Sequence, residues 1–510
     1  MKTKCLIFAL CFVLSASLTA FGQYADWKHS GSLHILTTPQ GADLPAAAQL
    51  KDFPLLVRLD KDWFDFSQAQ AKGQDIRFSG SDAKPLAFEI EEWDAAAGTA
   101  SIWVRIPLIK GNASEAIKMH WGKAGVASES NGKAVFNAAN GYVTVWHLDG
   151  AVKDSVGALT AKDTGTTSAP GIIGKSRHFP GDKGLNCGEK VTVLPQGSSS
   201  STSEVWVRAI RPNGRVIAWG NEKAQGKVTM FFASPPHVRM DCYFSDANVK
   251  SSSRLPMGEW VHLVHTYSKG EARVYVNGRL DGENKGHGKT LNIMSPGRMY
   301  IGGWYNRYAY VGDLDEVRVS SVKRSAAWIK LQYENQKSLG GAVGPIVQPG
   351  IAFSASHKKI TVKEGATVTV TAKAGGAQKV YWLIKTGDKE SVVAVDRFSF
   401  TLDAGRVTGD RSLVLQFKAV YGKTLKTIDI PVTVQESIPE PVFTLKAPAK
   451  WDGRQTIEVL SQVTNLKQMQ AKGAGTLKTE WQVSGLATIK RVEPGKLILE
   501  RAQNSGTVKV

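Results

Sequence analysis

The stretch GGWYNRYAYVGD at 302–313 crowds Trp304, Tyr305, Arg307, Tyr308 and Tyr310 into seven positions. Sugars offer apolar C–H faces and hydroxyl edges, so a site that recognises them needs exposed rings beside forked hydrogen-bond donors. Trp304, Tyr305, Asn306, Arg307 and Tyr308 supply both, and they are the candidate ligand-binding residues. The bland alternative is that Tyr308 and Tyr310 alternate into a strand and brace a core. A weaker candidate is FASPPHVR at 232–239, where His237 and Arg239 follow a stiff proline pair.

The text around these residues must position them, and it reads as strands. Short alternating runs such as ASIWVRIPL at 100–108, WVHLVHTY at 260–267 and ARVYVNG at 272–278 are broken by Gly, Asn, Asp and Pro. This spacing predicts an all-β, multi-domain chain of β-sandwiches rather than alternating β/α units. The clearest helix falls at 325–337, where Ser325 can cap and Trp328, Ile329, Leu331 and Tyr333 form an apolar face. Composition shifts divide the chain into 23–138, 140–337, a Gly/Pro linker at 338–350, then 351–436 and 440–510. The last two read as immunoglobulin-like units, each with a buried-Trp strand, Trp382 and Trp481, and the second reads as incomplete.

Residues 1–22 read as an export signal, with Lys2 and Lys4 before the apolar run from Cys5 to Leu14 and a cut before Gln23. No later stretch is apolar for long enough to span a bilayer, so a periplasmic, extracellular or surface location is expected. The formal net charge is +19, and residues 351–510 hold 24 Lys and Arg against 14 Asp and Glu. Such an excess favours anionic partners, although no basic run interleaved with aromatics points to nucleic acid. Cys187 and Cys242 are the cysteines that survive signal removal. Export permits a Cys187–Cys242 disulfide, and strand-like surroundings equally suit two free buried thiols. His262 and His265 lie three apart on a predicted strand, hence on opposite faces. No CxxC, HExxH, GxSxG or phosphate-binding loop is present.

Two resemblances sharpen this outline. FPLLVRLD at 53–60, the run at 64–94 ending in FEIEEWD, ASIWVRIPLIKG at 100–111 and IKMHWGKA at 117–124 resemble the domain-of-unknown-function 2341 family. That resemblance implies a β-sandwich of exported proteins with no assigned chemistry. VTVWHLDG at 143–150, GEWVHLVHTYSKGEARVYVNGRLDG at 258–282 and GDLDEVRVS at 312–320 resemble a laminin-G-like, concanavalin-A-like jelly roll. The Asn277-Gly278 pair has its own physical warrant, because it supplies the positive φ of a tight primed turn.

The second resemblance implies three further expectations. Sandwiches of its superfamily often hold Ca²⁺, which suggests a structural ion at Asp315 and Asp313, converging on one face while Glu316 points away. Otherwise no cofactor is required. Some relatives are glycosidases with paired carboxylates about 5–5.5 Å apart, and Glu89 and Glu91 share that spacing. They fall in the first unit, within its own family's text, so no catalysis is expected. His147 is expected to be a hydrogen-bonded structural histidine. The reading is a non-catalytic, carbohydrate-binding or adhesion protein whose partner is a polysaccharide or glycoconjugate. The alternatives are a structural or protein–protein interaction module of the envelope and, remotely, a glycoside hydrolase.

Overall fold

The computed structural model describes residues 23–510 apart from 287, 289, 306, 308 and 503–505. The export signal expected over 1–22, and the candidates Asn306 and Tyr308, lie outside the described residues. Among those described, no helix is long and apolar enough to cross a membrane. The chain is all-β with multiple sheets, as its alternating text predicts.

The first unit packs two three-stranded antiparallel sheets. In one, strand Gln49–Asp60 pairs with Thr99–Lys110, which pairs with Phe88–Asp94. Leu55, Leu56 and Val57 are buried in succession, as are Ile102, Trp103 and Val104. A run buried without alternation means that both faces of a sheet are covered. One face meets the other sheet, and the second unit covers the other.

That second unit is a sandwich of an eight-stranded and a seven-stranded antiparallel sheet. Trp146, Phe179, Trp219, Phe232, Tyr267 and Tyr310 fill the space between them. Cys187 and Cys242 lie in the same core as free thiols. The permitted disulfide is not formed, and burial pushes the Cys242 thiol up to about 12. Both behave as small apolar side chains. Asn277 and Gly278, at φ 48° and 77°, turn strand Glu271–Val276 into Arg279–Lys285 as the primed-turn chemistry requires.

Helix Ala326–Gln336 is capped by Ser325, whose hydroxyl accepts the Trp328 N–H at 3.2 Å. It joins the first two units. Trp328 and Leu331 enter the first unit's core, while Ile329 packs on Val264 and Tyr275 of the second. Asn335 pairs through its side-chain amide with both main-chain groups of Leu56, at 2.7 and 2.8 Å. The Gly/Pro stretch expected to be a linker is docked rather than free. Leu36 N–H donates to Ala342, Gly344 to His34 and Val347 to Ser32, so the segment extends the edge of strand His29–Leu36. A side chain at Gly344 would place Cβ 1.7 Å from the Gln378 carbonyl, so only glycine fits there.

The third unit sets a three-stranded sheet on a five-stranded one around Trp382 and Phe417. It is tied to the first by Asp62, which accepts from Ser399 N and Oγ, and by the Arg397–Asp60 ion pair. Residues 443–501 form a four-stranded sheet with a small core of Val459, Ala487, Leu497 and Leu499.

Candidate functional site

Strand Arg298–Ile301 alternates: Met299 and Ile301 enter the core, so Arg298 and Tyr300 face out. The loop that follows closes on itself through Trp304 N–H to Arg307 O at 3.0 Å and the reciprocal bond at 3.1 Å. Tyr305 takes φ 56° at the tip, a conformation uncommon outside glycine. This turn throws its ring outward, where it is 38% exposed. Tyr300, Tyr305, Arg307, Asn186, Glu189 and Lys183 line a cleft of about 480 Å³. The Tyr300 hydroxyl donates to Glu189 at 3.1 Å, and Arg298 lies over the Tyr305 ring at 4.6 Å. Desolvation raises both phenols, Tyr300 to about 12.

The predicted residues are thus distributed unevenly. Tyr305 and Arg307 face the cleft, whereas Trp304 is 2% exposed. Its indole donates to Glu222 and packs on Tyr300 and Tyr305 at 5.5 and 5.1 Å, which makes it the floor that supports the exposed ring. Tyr310 is wholly buried against Phe179. Tyr300 was missing from the sequence candidates, and the alternation of RMYI at 298–301 is the signal that exposes it. His237 lines a separate open cleft beside Pro235, Lys250 and Arg254.

The acidic residues of strand Val311–Ser320 follow a different geometry from the expected one. Asp313 receives His178 Nδ1 at 2.8 Å and the Arg208 guanidinium at 2.7 Å. One Asp315 oxygen accepts the Ile172 and Ile173 N–H groups at 2.9 and 3.2 Å. These are acceptor carboxylates already engaged by donors, and a guanidinium beside Asp313 works against a calcium ion there. Glu316 does not point away from Asp315. A bulge opposite Val205, with Glu316 at φ 53°, puts one extra residue on the strand, so Asp315, Glu316 and Arg318 all face outward.

That outward face is covered by the first unit, and a second constellation forms in the contact. His147 Nδ1 lies 2.7 Å from Glu316 Oε1 and 3.5 Å from Glu91 Oε2, and its Nε2 lies 3.3 Å from Glu89 Oε2. Ser155 Oγ donates to Glu89 at 2.8 Å, Trp103 Nε1 donates to Glu91 at 2.5 Å, and Arg318 donates to Glu316. Trp103 stacks on the imidazole at 5.7 Å. Burial opposes a charged His147, but Glu316, Glu91 and Glu89 outweigh it and hold the imidazole well above its ordinary range. Burial and Glu316 push Glu91 well up. Each member stands in the sequence as an ordinary strand residue; only the docking of two units brings them together.

The fold and the two constellations define a multi-sandwich protein with an open cleft on one unit and a buried acidic junction between two. Residues 72–149 match the family described as domain of unknown function 2341, and residues 179–330 match a family of the concanavalin A-like lectin/glucanases superfamily. The chain carries these two domains in that order. No curated protein matches it. Among solved structures it is similar to domain 4 of an extracellular arabinanase from Geobacillus stearothermophilus in complex with arabinotriose, at 17% identity over 37% of this chain and 97% of that one, TM-score 0.32. A botulinum neurotoxin serotype D/C binding domain aligns at 10% identity over 63% and 78%, TM-score 0.32. Trypanosoma rangeli sialidase aligns at 15% over 52% and 45%, TM-score 0.32.

Proposed function

We propose that this is an exported, non-catalytic carbohydrate-binding protein that holds a polysaccharide in the cleft of its concanavalin-A-like unit. The observation that carries the reading is the convergence on one cleft of the exposed Tyr305 ring, backed at 5.4 Å by the largely buried Tyr300, with an exposed Arg307 and the acceptors Asn186 and Glu189. Rings cover C–H faces, and the polar groups address hydroxyl edges. The non-catalytic part is supported by the place of Glu89 and Glu91. They are committed to His147, Ser155 and Trp103 within a domain contact, away from this cleft.

A glycan array probed with the full chain tests the proposal. Tyr305→Ala and Arg307→Ala are each expected to weaken the best ligand about tenfold, roughly 1.4 kcal/mol, without moving the thermal midpoint. Absence of binding to every acidic and neutral polysaccharide, or binding unchanged in both variants, would overturn it.

A further inference from the structure

We propose that the junction between the first two units is a divalent transition-metal site, with His147 Nδ1 and the carboxylates of Glu91 and Glu316 as ligands. The three donor atoms lie within 4.8 Å of one another. Donors around a tetrahedral ion with bonds of about 2.1 Å stand roughly 3.4 Å apart, and the two contacts to His147 Nδ1, 2.7 and 3.5 Å, bracket that spacing. The side chains of Glu91 and Glu316 are 0% exposed and that of His147 is 6% exposed.

Two features set the cluster apart from a plain network of ion pairs. The first is the other imidazole nitrogen. A ligating histidine nearly always gives its remaining ring N–H to a carboxylate, which fixes the ring and raises its basicity. Glu89 stands at Nε2 in that position and is itself held by Ser155. Glu91 is likewise braced by Trp103 and Glu316 by Arg318. The second is Glu91 Oε1, a buried oxygen with no hydrogen-bond partner, on a side chain whose other oxygen already faces His147. An unpaired buried carboxyl oxygen calls for a proton or a cation.

Charge balance points the same way. Four carboxyl groups, Glu89, Glu91, Asp315 and Glu316, meet two guanidiniums, Arg58 and Arg318, a surplus of two acidic groups around the imidazole. Two protons or one divalent cation would cancel them. With a single nitrogen and two carboxylates the donor set suits Zn²⁺ or Mn²⁺, and it is too small for the six to eight oxygens of Ca²⁺. The bulge at Glu316 and the strand Phe88–Asp94 come from different units, so the ion would lock one onto the other.

Elemental mass spectrometry of the full chain, as purified and after chelation followed by Zn²⁺ or Mn²⁺ and desalting, tests this. About one ion per chain is expected in the wild type, with a thermal midpoint that falls on chelation and recovers on loading. His147→Gln and Glu91→Gln should retain none. Should those two fail to fold, Glu89→Gln keeps the side chain's size and is expected to fold and to weaken affinity about 10–100-fold. A wild type that takes up neither ion and whose midpoint ignores the chelator overturns the proposal. So does a folded Glu89→Gln or His147→Gln chain that retains metal as tightly as wild type.

Discussion

The two sheets of the concanavalin-A-like unit share one core but meet different worlds on their outer faces. The eight-stranded sheet points Glu204, His262, Asp315, Glu316 and Arg318 outward, and every one is buried beneath the first unit or the helix Ala326–Gln336. The seven-stranded sheet points Tyr300 outward beside the cleft that Tyr305 and Arg307 line. Polar residues at outward positions therefore say nothing about solvent. What distinguishes the two sheets is cover: on one face His262 Nε2 meets Glu204 at 2.9 Å in a buried pair, whereas on the other Arg307 stands exposed.

Three changes can break or sharpen this contrast. The largest effect belongs to the covered face. Arg318→Met removes the guanidinium partner of Glu316 and the cation over Trp103, leaving a buried carboxylate with His147 alone to offset it. A loss of about 3–5 kcal/mol is expected in urea unfolding. A loss below 1 kcal/mol would mean that the face is wetter than its burial implies. On the open face, Trp304→Ala should cost about 3 kcal/mol and reduce glycan binding only by disturbing Tyr305 above it. A stable Trp304→Ala chain without sugar binding would instead put the indole in the site.

The smallest effect lies between the sheets. His265 shares the inward face of its strand with Leu263 and Tyr267, and neither ring nitrogen has a partner. Burial pushes its pKa down to about 3 from an unfolded value near 6.5. The folded chain thus refuses a proton that the unfolded chain accepts. Its stabilising contribution is complete above pH 6.5 and drains away as pH falls toward 3. At pH 4.5 the loss reaches about 2.7 kcal/mol, at 1.36 kcal/mol per unit. His265→Leu should flatten the acid limb of the stability curve by that amount; parallel curves for the two proteins would refute the assignment.

Much of the scaffold was legible in the sequence. The Asn277-Gly278 turn, the Ser325 cap, the order of the first two units and the opposite faces of His262 and His265 all follow from local chemistry and period. The site was legible in part. Tyr305 and Arg307, which line the cleft, sit in an obvious aromatic run, but the buried place of Trp304 does not show there, since ring-rich text cannot say which ring lies beneath another. The junction escaped for two physical reasons. A left-handed glutamate announces no bulge, so alternation wrongly turned Glu316 away from Asp315. And Glu89, Glu91 and His147 look like solvated strand residues until another unit lands on them.

The docked segment at 342–347 bears on how the molecule is made. The edge of strand His29–Leu36 gains its last neighbour only after some three hundred intervening residues have been synthesised, about two hundred of them belonging to the second unit. Until then an early-emerging strand presents open N–H and C=O groups, the kind of edge that invites mispairing. Ala342 and Ile346, which complete the first unit's core, are also missing at that stage. A truncated chain ending near residue 338 would keep this defect permanently, so a soluble version of the first two units should extend through Val347.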